Sequence, residues 1–364
     1  MQAKTLYSIL SRGARFTLLA AIFFIFSPIS LLAVSNIGKG WLWTDVAGWM
    51  IGSSLIAVCW AWAAFKGKYF WVPIAANILI PAAQGMVFSK SMQFGNAGAT
   101  VTGVLVVVSI ALGYVLFVIF IRGEGAKTLH LQTEMTLAKE IHDHLVPDVA
   151  YEDAHWEILG SSAASTEVGG DLLDLSQRNG AMLVTVADVS GHGVRAGVMM
   201  AMIKSALKTS LLRGDRHSVC SDLNEVVYSL KRPDMYATGV HLDLRPDRQV
   251  RYTGAGHPSL LHIRADGTCF AHESQNPPMG VLPGMAFTSA DITLQTSDLL
   301  VILTDGLIEI GNKQGEQFGM DRIERHFRAN ASKPLLEIRA SLIKEVLSFG
   351  AQEDDQTIVL IRAK

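Results

Sequence analysis

The stretch Val184–Met200, VTVADVSGHGVRAGVMM, starts as an apolar β-branched run, breaks off at Asp188, turns at Gly-His-Gly and continues with helical spacing. A buried strand that ends on a carboxylate needs a compensating partner, because a lone buried charge is costly. The fold and the chemistry of the chain follow from what else can meet Asp188.

On either side of this stretch, from about residue 150 onward, short apolar runs predict strands at Trp156–Gly160, Ala181–Asp188, Tyr236–Leu244, Arg248–Thr253, Leu260–Ile263, Ile292–Leu294, Leu299–Leu303 and Thr357–Ile361. Helices are predicted at Val194–Leu212, Val219–Leu230, Met320–Ala329 and Leu335–Phe349. The strands come in consecutive runs instead of alternating with helices. That pattern predicts an α+β domain of antiparallel sheets covered by helices, not a doubly wound parallel sheet.

Four acidic positions share one local grammar. EVGGDLLDL presents Asp171 behind two glycines, VADVSGHG presents Asp188, LVILTDGLIE presents Asp305, and QEDDQTIVLI presents Asp354 and Asp355. Strand ends deliver the carboxylates, and small residues keep the surroundings open. Any single one has an ordinary explanation, since Asp-Gly is a common turn and Asp before a helix a common cap. As a set they suit hard divalent cations such as Mg²⁺ or Mn²⁺, which prefer oxygen ligands. Two such ions roughly 3.5–4 Å apart can hold a water as hydroxide and clamp a phosphoryl group for in-line attack. A cation is how Asp188 would stay charged at a strand end.

The order GGD, DVSGHG, GAGHP, TDG, DDxT resembles that of PPM-type serine/threonine phosphatases of the bacterial SpoIIE/RsbU group, over roughly Leu137 to Lys364. LAKEIHDHLVP is similar to the group's helix before the domain, with His142 where Gln is usual, and Leu172-Leu173 stand where an aromatic often follows GGD. The resemblance implies an αββα sandwich of two antiparallel sheets flanked by helices, with a binuclear Mn²⁺/Mg²⁺ centre at one sheet edge. It implies that Asp188 bridges the metals with the Val189 carbonyl beside it. Asp171 would serve one metal, and Asp305 and Asp354 the other side of the pair, with Asp188 and Asp305 carrying the catalysis. Asp174 and Asp355 would support the site. His192 would either touch substrate phosphate or simply hold its turn, and His257 would be structural. The implied substrate is phosphoserine or phosphothreonine on a cytoplasmic regulatory protein, in this group often a STAS-domain anti-sigma-factor antagonist.

The first 122 residues have a different character. The 364-residue chain is 49% hydrophobic, and the excess lies almost wholly before Arg122. Uncharged runs at Phe16–Gly38, Val46–Phe65, Tyr69–Ser89 and Ser91–Ile121 predict a four-helix transmembrane domain. Lys4, Arg12, Arg15, Lys66, Lys68, Arg122 and Lys127 outnumber Lys39 and Lys90, which puts both termini on the cytoplasmic side of a bacterial inner membrane. The first run also fits a signal peptide, but it is long for an h-region and more spans follow. Asn77, Gln84 and Ser53 inside the runs predict helix–helix packing. A net charge of −2 gives no basic field for nucleic acid, and Cys59, Cys220 and Cys269 form no disulfide framework or zinc motif.

Three parts result: a membrane domain over 1–122, a helical connector over 123–147 and a phosphatase-like domain over 148–364. The connector, KTLHLQTEMTLAKEIHDHLVPD, carries an apolar stripe through Leu131, Met135, Ala138, Ile141 or His142, and Leu145. The stripe suits either packing on its own domain or a homodimeric coiled coil. His142-Asp143 also resembles the phosphoacceptor box of sensor histidine kinases, but the downstream ATP-binding boxes are missing. Such a kinase and a non-catalytic membrane scaffold are the competing functional readings.

Overall fold

LLVIL at Leu299–Leu303 is buried at every position, so this strand has an apolar layer on both faces. Leu300 and Ile302 point into one core, and Leu299, Val301 and Leu303 into another, as the two-residue period of a strand requires. Each such fully buried side chain contributes about 1.5–3 kcal/mol. The computed structural model describes residues 11–28, 43–66, 69–87, 96–178, 180–213 and 219–364.

The chain divides into two compact units, Met1–Glu134 and Met135–Lys364. The C-terminal unit is a sandwich. Its strands in chain order are β1 (Val149–Glu152), β2 (Trp156–Ala163), β3 (Leu172–Arg178), β4 (Ala181–Val189), β5 (Ala237–Leu244), β6 (Gln249–Ala255), β7 (Leu260–Ile263), β8 (Cys269–His272), β9 (Ala290–Thr293), β10 (Leu299–Leu303) and β11 (Gln356–Ala363). One sheet has six strands in the order β1-β2-β11-β10-β7-β8, the other five in the order β3-β4-β5-β6-β9. Every pairing within them is antiparallel.

Helices cover both outer faces. Val194–Arg213 and Val219–Leu230 share a core with the five-stranded sheet through Met200, Ile203, Leu207, Leu223 and Val227. Met320–Asn330 and Leu335–Phe349 cover the six-stranded sheet through Ile323, Phe327, Ile338 and Leu342. The αββα expectation therefore holds, and the expected helices match within a residue.

β1, β3 and β8 are additions to the expected strands. β1 and β8 are the short, partly exposed edges of the six-stranded sheet, as edge strands commonly are. β3 escaped because Asp174, Ser176, Gln177 and Arg178 make its second half read as a loop.

The N-terminal unit contains helices α1 (Arg12–Phe26), α2 (Trp43–Lys66), α3 (Trp71–Val87) and α4 (Asn96–Phe120), at the positions of the four apolar runs. The expectation of four spans is narrowed, however. Among the described residues, one window, Val106–Gly123, is long and apolar enough to cross a membrane; Ala47–Ala63 and Trp71–Gln84 are shorter apolar stretches. Crossing takes about 20 apolar residues at 1.5 Å rise each. Polar ends shorten α2, α3 has 17 residues with Pro81 inside, and the first run is described only to residue 28. The polar residues act as packing groups: Gln84 donates to the Gly48 carbonyl at 2.6 Å, and Ser53 to the Ser27 carbonyl at 3.2 Å. Asn77 is exposed.

After a kinked turn at Ile121–Gly125, where Gly123 leaves helical geometry, the connector forms α5 (Ala126–Leu145). It ends just before Pro147, which disfavours helical backbone at the residue preceding it. The boundary between the two units falls within this helix.

Candidate metal and phosphoryl-transfer site

β4 carries Asp188 as its next-to-last residue, and Asp171 immediately precedes β3, its hydrogen-bonded neighbour. The TDG and DDQT segments bring Asp305 and Asp354 from the other sheet. Asp305 opens the short helix Asp305–Ile308 directly after β10, and Asp354 lies in the loop that leads into β11. The four carboxylates thus share one end of the sandwich, two from each sheet.

Burial and mutual repulsion show in the proton affinities of Asp171, Asp188 and Asp305. Burial first, and then Asp305, Asp354 and Asp355 nearby, push the Asp188 carboxyl up to about 7. Burial, with Asp188 and Asp355 adding to it, raises Asp171 well above the ordinary carboxylate range. Asp305 is raised by burial and by Asp354 and Glu309. None of the ion pairs among the described residues includes these carboxylates.

Asp171 is the most buried, at 1% exposure. Its Oδ2 accepts hydrogen bonds from Oγ1 of Thr304, just past β10, at 2.9 Å and from Oγ1 of Thr357, on β11, at 2.6 Å. Its Oδ1 is buried without a partner. A buried carboxylate oxygen left open, in a cluster of like charges with no counter-ion, fits a cation donor set. Gly170 makes room for a close backbone approach: a Cβ there would lie 2.8 Å from the Val189 carbonyl oxygen. Gly191 and Gly193, at φ 86° and 79°, form the turn between Asp188 and the next helix. Among the described residues no three His, Cys, Asp or Glu side chains close into a ready-made metal-binding group. The cluster is an open oxygen-rich cradle, not a compact cage.

The remaining expected site residues take other positions. Asp355 is buried, and its oxygens accept the backbone N–H groups of Ser165 at 2.7 Å and Gly170 at 2.6 Å. It clamps the GGD loop to β11. Asp354 is exposed, and its Oδ1 accepts the Asp355 N–H at 2.8 Å. Asp174 lies away from the cradle, under the helix that follows Asp188: it pairs with Lys208 at 2.7 Å and Lys204 at 3.3 Å, and accepts from Ser176 Oγ at 2.8 Å. His192 is exposed in its turn. His142 is 5% exposed, which leaves a phosphoacceptor reading without an accessible imidazole. It packs with Ala138 and Leu145 near Val168, Gly197 and Met200 of the same unit, and Lys204 Nζ donates to the last carbonyl of α5, that of Leu145.

Thr304 and Thr357 were missed. Both stand inside the quoted motifs, as the T of TDG and the T of DDQT, where attention to carboxylates passes over the hydroxyls that hold them.

The chain has relatives among known proteins. Residues 178–364, just over half of the chain, match the family Stage II sporulation protein E (SpoIIE). The phosphoserine phosphatase RsbU of Bacillus subtilis (strain 168) is 25% identical over 240 residues, 64% of this chain and 71% of that protein. The phosphoserine phosphatase RsbP of the same organism is 26% identical over 249 residues, 65% of this chain and 59% of that protein. Among solved structures, the SiaA-PP2C domain of Pseudomonas aeruginosa aligns with a TM-score of 0.56 at 19% identity, over 65% of this chain and 98% of that one. The RsbU and RsbW domains of a Mycobacterium tuberculosis protein align with a TM-score of 0.51 at 24% identity, over 60% and 62%. At such identities the structural likeness speaks for the fold alone. The family match, the order of the acidic motifs and the sandwich that gathers them lead to one conclusion: the chain belongs to the SpoIIE family of PP2C-type serine phosphatases.

Proposed function

We propose that this chain is a membrane-anchored, metal-dependent phosphatase that removes phosphate from phosphoserine or phosphothreonine on a cytoplasmic regulatory protein, with a STAS-domain anti-sigma-factor antagonist as the expected substrate. The observation that carries the reading is the uncompensated carboxylate cluster, with Asp171 buried and one of its oxygens unpaired.

Asp171, Asp188, Asp305, Asp354 and the Val189 carbonyl are the groups that would hold two Mn²⁺ or Mg²⁺ ions. Such ions, when bound, supply activation of water and neutralisation of phosphate charge. The chain contributes the shape. Thr304 and Thr357 fix the Asp171 carboxylate, Asp355 pins the loop that bears it, and Asp174 with Lys204 and Lys208 anchors β3 to the helix above. His192, four residues after Asp188, is open to solvent and is the residue that would meet a phosphorylated side chain.

Support for the membrane part comes from Val106–Gly123, of which only 11% is buried, where the core helix of a soluble domain would be mostly covered. The charge asymmetry of the loops favours a cytoplasmic catalytic unit. Leu131, Leu137 and Ile141, exposed on α5, support a homodimer through the connector.

The test is hydrolysis of para-nitrophenyl phosphate and of a phosphoserine peptide by the full chain in detergent with Mn²⁺. Turnover of both is expected, with loss in Asp188→Asn. Unchanged turnover in that variant would refute the site.

A further inference from the structure

The segment GAGHP is the crossover between the two sheets: β6 belongs to one, β7 to the other, and His257 lies between them. The ring is 5% exposed. Its Nδ1 is 3.0 Å from Thr238 Oγ1 on β5, and Thr238 stands directly opposite Asp188 in the β4–β5 register. Beyond the ring the chain runs into β7, the antiparallel neighbour of β10 in the opposite sheet. Nε2 is buried without a hydrogen bond. Burial dominates and pushes the imidazole down to about 4, so the ring is neutral at physiological pH.

We propose that His257 is a positioning residue that holds the strand end bearing Asp188 against the crossover into the other sheet, through its contact with Thr238. This rests on the metal-site reading above and extends it to a residue that touches neither metal nor substrate. The physical case is the ring's placement. A cradle made of two carboxylates from each sheet has a geometry only as defined as the junction between the sheets, and the ring, buried at that junction, ties it to the residue opposite Asp188. The backbone of the segment is held independently: the His257 N–H donates to Ser274 Oγ at 3.0 Å, and Ser274 Oγ donates to the His257 carbonyl at 2.8 Å. Gly256, at φ 61°, has the Pro278 ring against it, a conformation that only glycine accepts at low cost. Loss of the imidazole therefore leaves the crossover pinned.

The experiment is calorimetric titration of Mn²⁺ into the full chain in detergent, with His257→Phe, Thr238→Val, the double variant, His257→Asn and Asp188→Asn. Residues that orient ligands without touching the metal typically change metal affinity by about 10- to 100-fold. His257→Phe and Thr238→Val are each expected to weaken Mn²⁺ binding by about that factor. The double variant should be no weaker than the worse single one, since both remove the same link. His257→Asn, whose amide can still meet Thr238, should recover most of the affinity. If Asp188→Asn loses Mn²⁺ while His257→Phe and Thr238→Val bind it as the wild type does, the positioning role is overturned and the metal site stands. If the wild type binds no Mn²⁺, or Asp188→Asn binds it equally, the metal reading itself fails. Should His257→Phe fail to fold, Thr238→Val decides the question alone.

Discussion

Asp355 accepts the Gly170 N–H at 2.6 Å, so a carboxylate at the foot of β11 fastens the residue just before Asp171, on the opposite sheet. The same side chain takes the Ser165 N–H at 2.7 Å. One residue thereby closes the end of the sandwich where the four other carboxylates meet.

Removing that clamp leaves two inward-facing N–H groups without acceptors. Hydrogen bonds to charged groups contribute about 1.5–3 kcal/mol each, and an unsatisfied buried donor costs more than an exposed one. Asp355→Ala is expected to destabilise the C-terminal unit by about 3 kcal/mol. Asp355→Asn, which keeps one acceptor oxygen, should lose less. Thermal melting of the two variants in detergent checks the order, and equal melting of Asp355→Ala and wild type would show that the clamp carries no stability.

The raised carboxyls give the metal-free protein a distinctive pH dependence. The folded value of Asp188, about 7, lies above its ordinary 3.8. Its contribution to stability is therefore fully present below about pH 4 and is lost as the pH rises through about 7. Asp171 and Asp305 shift in the same direction. In chelator, the stability of wild type relative to Asp188→Asn should fall by on the order of a few kcal/mol between pH 4.5 and pH 7.5, read as a falling melting temperature. Mn²⁺ at the upper pH should restore it by mass action. A flat difference across that window would mean that Asp188 is not buried among like charges as the structure places it.

The exposed apolar surface of α4 leads to a partition experiment. Val107, Val108, Tyr114, Val115 and Ile119 are each more than half exposed. Detergent, but not alkaline carbonate, is expected to release the chain from membranes. External protease on intact spheroplasts should leave the C-terminal unit uncut. Release by carbonate would remove the anchor, and cleavage without permeabilisation would reverse the orientation.

What the sequence revealed, and what it hid, has a physical explanation. Leu299–Leu303 and Val219–Leu230 were legible because each is an uninterrupted apolar signal of the right length and period. β3 was not, because the groups that make Asp174 tolerable, Lys204 and Lys208, lie about thirty residues further along the chain. The adjacent pair Asp354 and Asp355 was divided into ligand and support by the resemblance alone, with no local signal to separate them. One is exposed and the other buried under two backbone N–H groups, a difference set by the GGD loop of the opposite sheet. His142 and Ile141 were equal candidates for the inner face of the connector. Packing against the helix after Asp188 chose the histidine and left Ile141 outside.

The central claim is that Asp171, Asp188, Asp305 and Asp354 form one cation cradle. Titration of Mn²⁺ into the full, chelator-treated chain tests it most directly. About two ions per chain are expected in the wild type, with affinity lost by at least ~100-fold in Asp188→Asn and the fold retained. Absence of binding in the wild type, or the same isotherm in Asp188→Asn, would contradict it.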